Sequence, residues 1–260
     1  MPKVEINGVS QVFWSNSGAV QALAETSLSI DEGEFVCIVG PSGCGKSTLL
    51  NLVAGLAKPD TGRVIANGKP VTGPGPDRVV MFQESGLFPW LNVLQNVMFG
   101  LKMAGVPEPE RRERAEKLLN MVHLSRFTQA WVHELSGGMK QRVALARALA
   151  PNPDILLMDE PFAALDAQTR DMLHDELEGL WASTRKTVIF VTHNVREAVR
   201  LGTRVIVMTA RPGQVKNTYE IDLPRPRHIE DIGLVKIAAT IRDDLRSEVL
   251  QTTHEEGIDR

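Results

Sequence analysis

Between an apolar run, Phe35–Val39, and a segment of helical spacing at 49–56 lies Gly40-Pro41-Ser42-Gly43-Cys44-Gly45-Lys46-Ser47-Thr48. Strand, glycine loop and helix in that order, spaced G-x-x-x-x-G-K-S, leave the chain few alternatives. The glycines let successive backbone N–H groups curl around one anion where a Cβ would obstruct. The helix that follows aims its unpaired N–H groups and positive dipole end at the same point. Lys46 can reach the outer phosphates of a nucleotide, and the Ser47 hydroxyl can sit on Mg²⁺. The stretch reads as a nucleotide site.

Composition narrows the setting. With 43% hydrophobic and 23% charged residues, the 260-residue chain has ample material for a core. A net charge of -3 supplies no bulk attraction to nucleic acid, and no nucleic-acid partner is expected. No run of eighteen apolar residues occurs, so no membrane-spanning helix is expected. The opening Met-Pro-Lys-Val-Glu lacks an apolar signal core, which places the expected chain in the cytosol. Cys37 and Cys44 lie on the strand and loop of the phosphate site. A disulfide there would deform the loop, so both are expected as reduced thiols, Cys37 filling the core and Cys44 shielded by bound nucleotide.

Along the chain, residues 4–13 and 20–30 read as strands around a turn at Ser15-Asn16-Ser17-Gly18. Residues 63–71 have a hairpin pattern with Asn67-Gly68 at the tip. Residues 79–82 resume as a short buried strand ending at Gln83. From about 85 to 132 strand-like runs stop, and Val93–Met103 and 108–122 read as helices of a surface subdomain. The charges Arg111-Arg112-Glu113-Arg114 fit a solvated helix face. Residues 137–150 are helical, with Met139, Val143, Ala146 and Ala150 along one face. The unalternating apolar runs 155–158, Thr187–Val191 and 205–208 are those of parallel strands covered on both faces. Helices at 167–182 and Val195–Leu201 separate them. This alternation predicts an α/β fold with a mainly parallel sheet, an N-terminal antiparallel β region and a helical subdomain of about 85–150 inserted in it. On this reading 1–222 is one domain. Residues 223–260 are a linker, Pro224-Arg225-Pro226-Arg227, and a charged helical tail that could cover its own domain, meet a partner's tail or be partly disordered.

Three further clusters carry chemistry. The run 155–158 ends in Asp159-Glu160-Pro161. A carboxylate at the C-terminal end of a parallel strand beside a glycine loop is placed to hold Mg²⁺ through water. The adjacent carboxylate, Glu160, can then activate an attacking water, which is the help phosphoryl transfer needs. A turn-forming aspartate is the plainer alternative. Leu135-Ser136-Gly137-Gly138-Met139-Lys140-Gln141 opens the next helix. Ser136 fits an ordinary N-cap, yet two glycines exposing N–H groups at a helix start make a second anion site. One nucleotide does not need two such sites, so Ser136, Gly137 and Gly138 point to a second copy of the chain, each facing the other's phosphate loop. His193 follows Thr187–Val191 and projects from the edge where the phosphates lie, with Asn194-Val195-Arg196-Glu197 fitting a capping box behind it. Without the other motifs, a lone histidine there would read as an ordinary structural residue.

These residues, in this order, resemble the ATP-binding subunit of ABC transporters over roughly residues 4–222. Residues 40–48 are similar to the Walker A motif and Asp159 to the Walker B aspartate. Gln83 falls where the Q-loop glutamine belongs, and 135–141 resembles the family signature. Ala164-Leu165-Asp166 resembles the D-loop, and His193 the switch histidine. Phe13 stands in place of the usual adenine-stacking tyrosine, with Trp14 next to it, and either ring offers a stacking face. The resemblance implies a P-loop NTPase core that hydrolyses ATP with Mg²⁺, and a homodimer sandwiching two ATP molecules head to tail. It also implies Glu160 as general base, His193 on the γ-phosphate, and Ser47, Gln83 and Asp159 around Mg²⁺. Ser136, Gly137 and Gly138 would act on the partner's ATP, and Asp166 would couple the two sites.

A finer resemblance lies in Gly73-Pro74-Gly75-Pro76-Asp77-Arg78 and Leu87-Phe88-Pro89-Trp90-Leu91-Asn92-Val93, which look like the nitrate/sulfonate/taurine importer branch. It implies two integral-membrane permease subunits, an extracytoplasmic solute-binding protein acting indirectly, and a peripheral position on the cytoplasmic face of the bacterial inner membrane. Trp90 is then either an exposed anchor for a permease helix or part of the subdomain core. A soluble ABC-type ATPase acting on DNA or ribosomes is the alternative, but it would carry long coiled-coil insertions or two ATPase domains. A P-loop kinase would leave Ser136-Gly137-Gly138 without a role.

Overall fold

The computed structural model describes residues 2–15 and 18–255. Asn16 and Ser17, the tip of the first expected turn, lie outside the described residues, as does the end of the tail. The chain forms two compact units, Met1–Gly75 with Arg185–Arg260, and Pro76–Thr184.

In the first unit, β1 (Pro2–Ser15), β2 (Gly18–Asp31), β4 (Thr61–Ala66) and β5 (Lys69–Pro70) form an antiparallel sheet in the order β2-β1-β4-β5. Val4, Ile6 and Val9 of β1 are fully buried. Ile6 and Val9 are an odd three positions apart, and a register shift there, with Gly8 at φ 60, returns Val9 to the covered face. The tip of the β4–β5 hairpin is Asn67 at φ 52 and Gly68 at φ 71, the left-handed pair a two-residue turn needs.

In the same unit β3 (Phe35–Val39) runs parallel to both β8 (Thr187–Val191) and β9 (Arg204–Met208). Every residue of β3 and β8 is buried, as their unbroken apolar runs require. The polar β10 (Val215–Glu220) pairs antiparallel with β9, a strand absent from the sequence expectation because its only signal is tertiary. Helix α1 (Lys46–Ala54) stops short of the expected 49–56 segment. Gly55 ends it at φ 75, where a Cβ would lie 2.2 Å from the Gly73 carbonyl oxygen, and Leu56 is turned out to solvent. Helix α7 (Ile232–Glu255) buries Leu234, Ala238, Ile241 and Leu245, one helical face, and packs on α6 (Val195–Leu201). Arg227, in the stretch read as a linker, is 3% exposed. Its guanidinium donates to the carbonyls of Val199, Arg200, Gly202, Ile221 and Leu223.

In the second unit β6 (Arg78–Met81) is parallel to β7 (Ile155–Asp159). The strand ends at Met81, so Phe82, expected inside, leaves it and is 49% exposed. Four α-helices belong to this unit: α2 (Val93–Met103), α3 (Glu108–Met121), α4 (Gly137–Leu149) and α5 (Ala167–Thr184). Asn92 and Gln95 cap α2 reciprocally through their side chains. On α3 the pairs Glu110–Arg114, Glu113–Lys117 and Arg112–Glu116 stand in solvent at i,i+4 spacing, as the charge pattern predicts.

Candidate functional site

In the first unit the loop 40–48 leaves the C-terminal end of β3, and His193 follows β8. Ile38 pairs with Val191, so both depart from the same edge of the parallel strands. Gly43 and Gly45 adopt φ 73 and 92. A Cβ on Gly45 would meet Leu23 Cδ2 at 2.6 Å and the Ala22 carbonyl at 2.7 Å, so only glycine fits the loop's entry into α1. Lys46, 6% exposed, donates Nζ–H to the carbonyls of Gly40 at 2.9 Å and Pro41 at 2.7 Å. Its charge is therefore buried with hydrogen-bond partners on the loop itself.

Cys37 and Cys44 are both free, buried thiols. Burial raises the Cys44 pKa against the opposing pull of Lys46, whose Nζ is 3.8 Å from Sγ. The expectation that nucleotide shields Cys44 is corrected here, because the protein covers this thiol by itself. Phe13 and Trp14, both on β1, are 50% and 83% exposed, and both rings are open for stacking.

The turn after β8 departs from the expected capping box. Asn194 Oδ1 accepts from the N–H groups of Arg196 and Glu197, so the N-cap half is present. The other half is not: the Asn194 N–H donates to Thr192 Oγ1, and that hydroxyl pairs with the Glu197 carboxylate. Glu197 is 5% exposed and takes its donor from the interior. His193 is exposed and borders a cavity of about 710 Å³ between the start of α6 and α7.

A loop that sequence reasoning missed backs the phosphate loop. Arg211 Nε–H donates to the Gly43 carbonyl at 3.2 Å. Gly213 is bonded to both Ala22 and Ala24, and a Cβ on it would stand 1.8 Å from the Cys44 carbonyl oxygen. The turn-forming pair Pro212-Gly213 was its one visible signal.

In the second unit Gln83 follows β6, and Asp159 and Glu160 end β7. Met81 pairs with Met158, so these three residues share one strand edge. Glu160 sits at φ 45, a left-handed conformation that is strained for glutamate. Ser136 caps α4 by accepting the Met139 N–H at 3.3 Å, the ordinary role that its position allows. Asp166 caps α5 by accepting the Thr169 N–H at 2.9 Å, and that bond holds its carboxyl below the ordinary value. The Gln83 main chain is held from α4, where Gln141 Nε2 donates to its carbonyl at 2.7 Å. Arg147 donates to the carbonyls of Ser85 and Gly86 and lies over the Phe88 ring. Gln83, Gly137, Ala164 and Leu165 line one cavity of about 470 Å³, which brings together the segment after β6, the start of α4 and the turn before α5.

Trp90 is 68% exposed, which decides against its being subdomain core. Its ring packs on Phe88, which packs on Phe99. Asn96 fixes this segment by bonding the Phe88 N–H and the carbonyls of Phe88, Leu91 and Asn92. Trp90, Gln95, Phe99, Lys102 and Arg111 border a groove of about 410 Å³.

Among the described residues no group of three His, Cys, Asp or Glu side chains could hold a metal. Gln83 and Asp159, at one strand edge of the second unit, offer an amide oxygen and a carboxylate, and Ser47 in the first unit offers a hydroxyl; each is an oxygen donor of the kind Mg²⁺ accepts while keeping waters and substrate phosphates. No helix among the described residues is long and apolar enough to cross a membrane.

The chain is similar to known proteins over most of its length. A family model described as ABC transporter matches residues 23–163. The chain is 50% identical over 250 residues to an uncharacterized ABC transporter ATP-binding protein of Methanocaldococcus jannaschii, covering 96% of this chain and 94% of the relative. It is 49% identical to a nitrate import ATP-binding protein of Synechocystis, covering 85% and 83% of the two chains. A taurine import ATP-binding protein of Burkholderia pseudomallei is also 49% identical, with 91% of each chain covered. Among solved structures it is similar to a dimeric bacterial ABC transporter cassette, also solved in a post-hydrolysis state with ADP and Pi. There the TM-score is 0.76 at 36% identity, covering 85% of this chain and 100% of that one.

Proposed function

The chain belongs to the ABC transporter ATP-binding family, and from that premise we propose that it powers import of a small anion such as nitrate, an aliphatic sulfonate or taurine. The observation that carries this reading is its match, across more than four-fifths of both chains, to relatives named for nitrate and taurine import. The exposed Trp90 beside its groove supports a docking place for a permease helix.

In this reading two copies of the chain close head to tail over two ATP molecules, beneath two integral-membrane permease subunits. An extracytoplasmic solute-binding protein acts through the permease, and the chain lies at the cytoplasmic face of the bacterial inner membrane. The backbone N–H groups of 40–48 and the Lys46 ammonium bind the phosphates, and Phe13 or Trp14 stacks on adenine. Ser47, Gln83 and Asp159 would hold Mg²⁺, which supplies positive charge against the phosphate oxygens. Glu160 takes the proton from the attacking water, and His193 donates to the γ-phosphate. Ser136, Gly137 and Gly138 offer their N–H groups and hydroxyl to the partner's ATP, and Asp166 links the two sites. ATP favours the closed dimer because only there does it meet both donor sets.

The test is an affinity pull-down of tagged protein from gently solubilised native membranes. Recovery of a polytopic permease is the expected result. Recovery only with ribosomes or DNA-bound proteins would overturn the importer reading.

A further inference from the structure

We infer that Arg211 is a positioning residue of the phosphate loop and that α7 holds it in place through Glu248, an inference that rests on reading 40–48 as the nucleotide site. In such a loop the N–H groups face the anion, so the carbonyls need donors elsewhere. Lys46 takes the carbonyls of Gly40 and Pro41, and Arg211 takes that of Gly43. Arg211 Nη2 lies 2.5 Å from the place a Gly43 Cβ would occupy, so the guanidinium packs directly against the Gly43 backbone. Two cations thus brace the loop from behind, and each adds positive charge beside a polyphosphate without using a loop N–H.

Arg211 is itself held from both sides. Downstream, the Gly213 N–H donates to the Ala22 carbonyl at 3.0 Å, and its own carbonyl accepts the Ala24 N–H at 3.0 Å. Upstream, the Ala210 N–H donates to Glu248 Oε2 of α7 at 2.9 Å, in the interior. Lys216 Nζ reaches the other oxygen of that carboxylate at 2.8 Å and Asp244 Oδ1 at 3.1 Å. The loop 209–213 is therefore a short bridge from the C-terminal helix to the phosphate loop, with Arg211 at its centre.

The experiment uses the purified full chain, with MgATP binding measured by calorimetry and hydrolysis measured at steady state. Arg211→Ala is expected to weaken MgATP binding about five-fold, with kcat at saturating ATP within about two-fold of the parent. Arg211→Lys, which keeps the charge and one donor, is expected to restore most of the affinity. Glu248→Ala is expected to shift binding in the same direction, and the double variant to bind no more weakly than Arg211→Ala alone. Parent-like affinity in Arg211→Ala would overturn the positioning role, and strictly additive losses would overturn the link to α7. Lys46→Ala separates the premise from the inference: if it leaves MgATP binding intact, the site reading itself fails. If it weakens binding while Arg211→Ala does not, only the inference fails.

Discussion

Gln141 donates its side-chain amide to the main-chain carbonyl of Gln83 at 2.7 Å, while the Gln83 side chain stays exposed. The backbone is pinned and the side chain is left free to reach a ligand. Gln141→Leu leaves that carbonyl without its donor and is expected to cost about 1–2 kcal/mol in a denaturant titration. Gln83→Ala keeps the bond, because only the backbone is used. It should change stability by less than about 0.5 kcal/mol while lowering ATP hydrolysis.

Glu160 separates aim from stability. Its left-handed backbone, φ 45, costs roughly 1–2 kcal/mol, against which glycine's extra freedom in the unfolded chain costs about 0.5–1 kcal/mol. Glu160→Gly is therefore expected to melt slightly higher than the parent while losing turnover. Glu160→Gln keeps the strain and the ATP affinity and should lower turnover by about 10²-fold or more. Normal hydrolysis by the glutamine variant would remove the base assignment.

Gly137 and Gly138, at the start of α4, make opposite predictions. A Cβ on Gly137 would meet nothing within 4 Å, whereas one on Gly138 would meet Thr169 Cγ2 at 2.5 Å. Gly137→Ala should fold with unchanged or higher stability, so any loss of ATPase reports an encounter outside its own chain. Gly138→Ala should destabilise the monomer by about 1–3 kcal/mol. Thermal melts run beside dimer-dependent ATPase assays separate the two effects.

How much of this was legible in the sequence depends on whether the signal was local. Gly40–Lys46, the Asn67-Gly68 turn and the fully apolar strands declared themselves because spacing and backbone conformation alone specify them. Phe82 did not, since where a strand stops is set by pairing, and no residue at 82 marks the end of β6. Glu197 fits a capping box by spacing, but its carboxylate goes to Thr192 because that is the donor in the interior. Arg211 and Arg227 were invisible for a related reason: an arginine bonded to carbonyls far along the chain looks, in sequence, like any surface arginine.

Arg227 gives the largest stability prediction. Replacing a buried guanidinium that serves five carbonyls leaves those acceptors unpaired. Arg227→Met is expected to cost about 3 kcal/mol or more, and Arg227→Lys to recover only part, having no planar fork. Thermal or denaturant unfolding of the three proteins checks both.

Docking of α7 should weaken in acid. Burial raises the carboxyls of Asp244 and Glu248. Hydrogen bonds from Asn217, Lys216 and Tyr219 to the first, and from Lys216 and Ala210 to the second, outweigh that and hold them below their ordinary 3.8 and 4.5. Carboxyls depressed by folding contribute stability that is complete above those ordinary values and is lost as pH falls through the depressed ones. The stability gap between the parent and Glu248→Gln is therefore expected in full at pH 6 and should narrow steadily as the pH is taken down below 4.5, as read by a series of denaturant titrations.

The placement of the two thiols turns this chain into its own stopwatch. Cys44 Sγ lies where a Gly40 Cβ would be only 2.7 Å away, so no alkylating reagent fits until residues 40–44 open. Cys37 lies within β3, between two paired strands, and is reached only when the sheet itself comes apart. The rates at which a maleimide marks the two sulfurs therefore time two different events, breathing of the phosphate loop and rupture of the core.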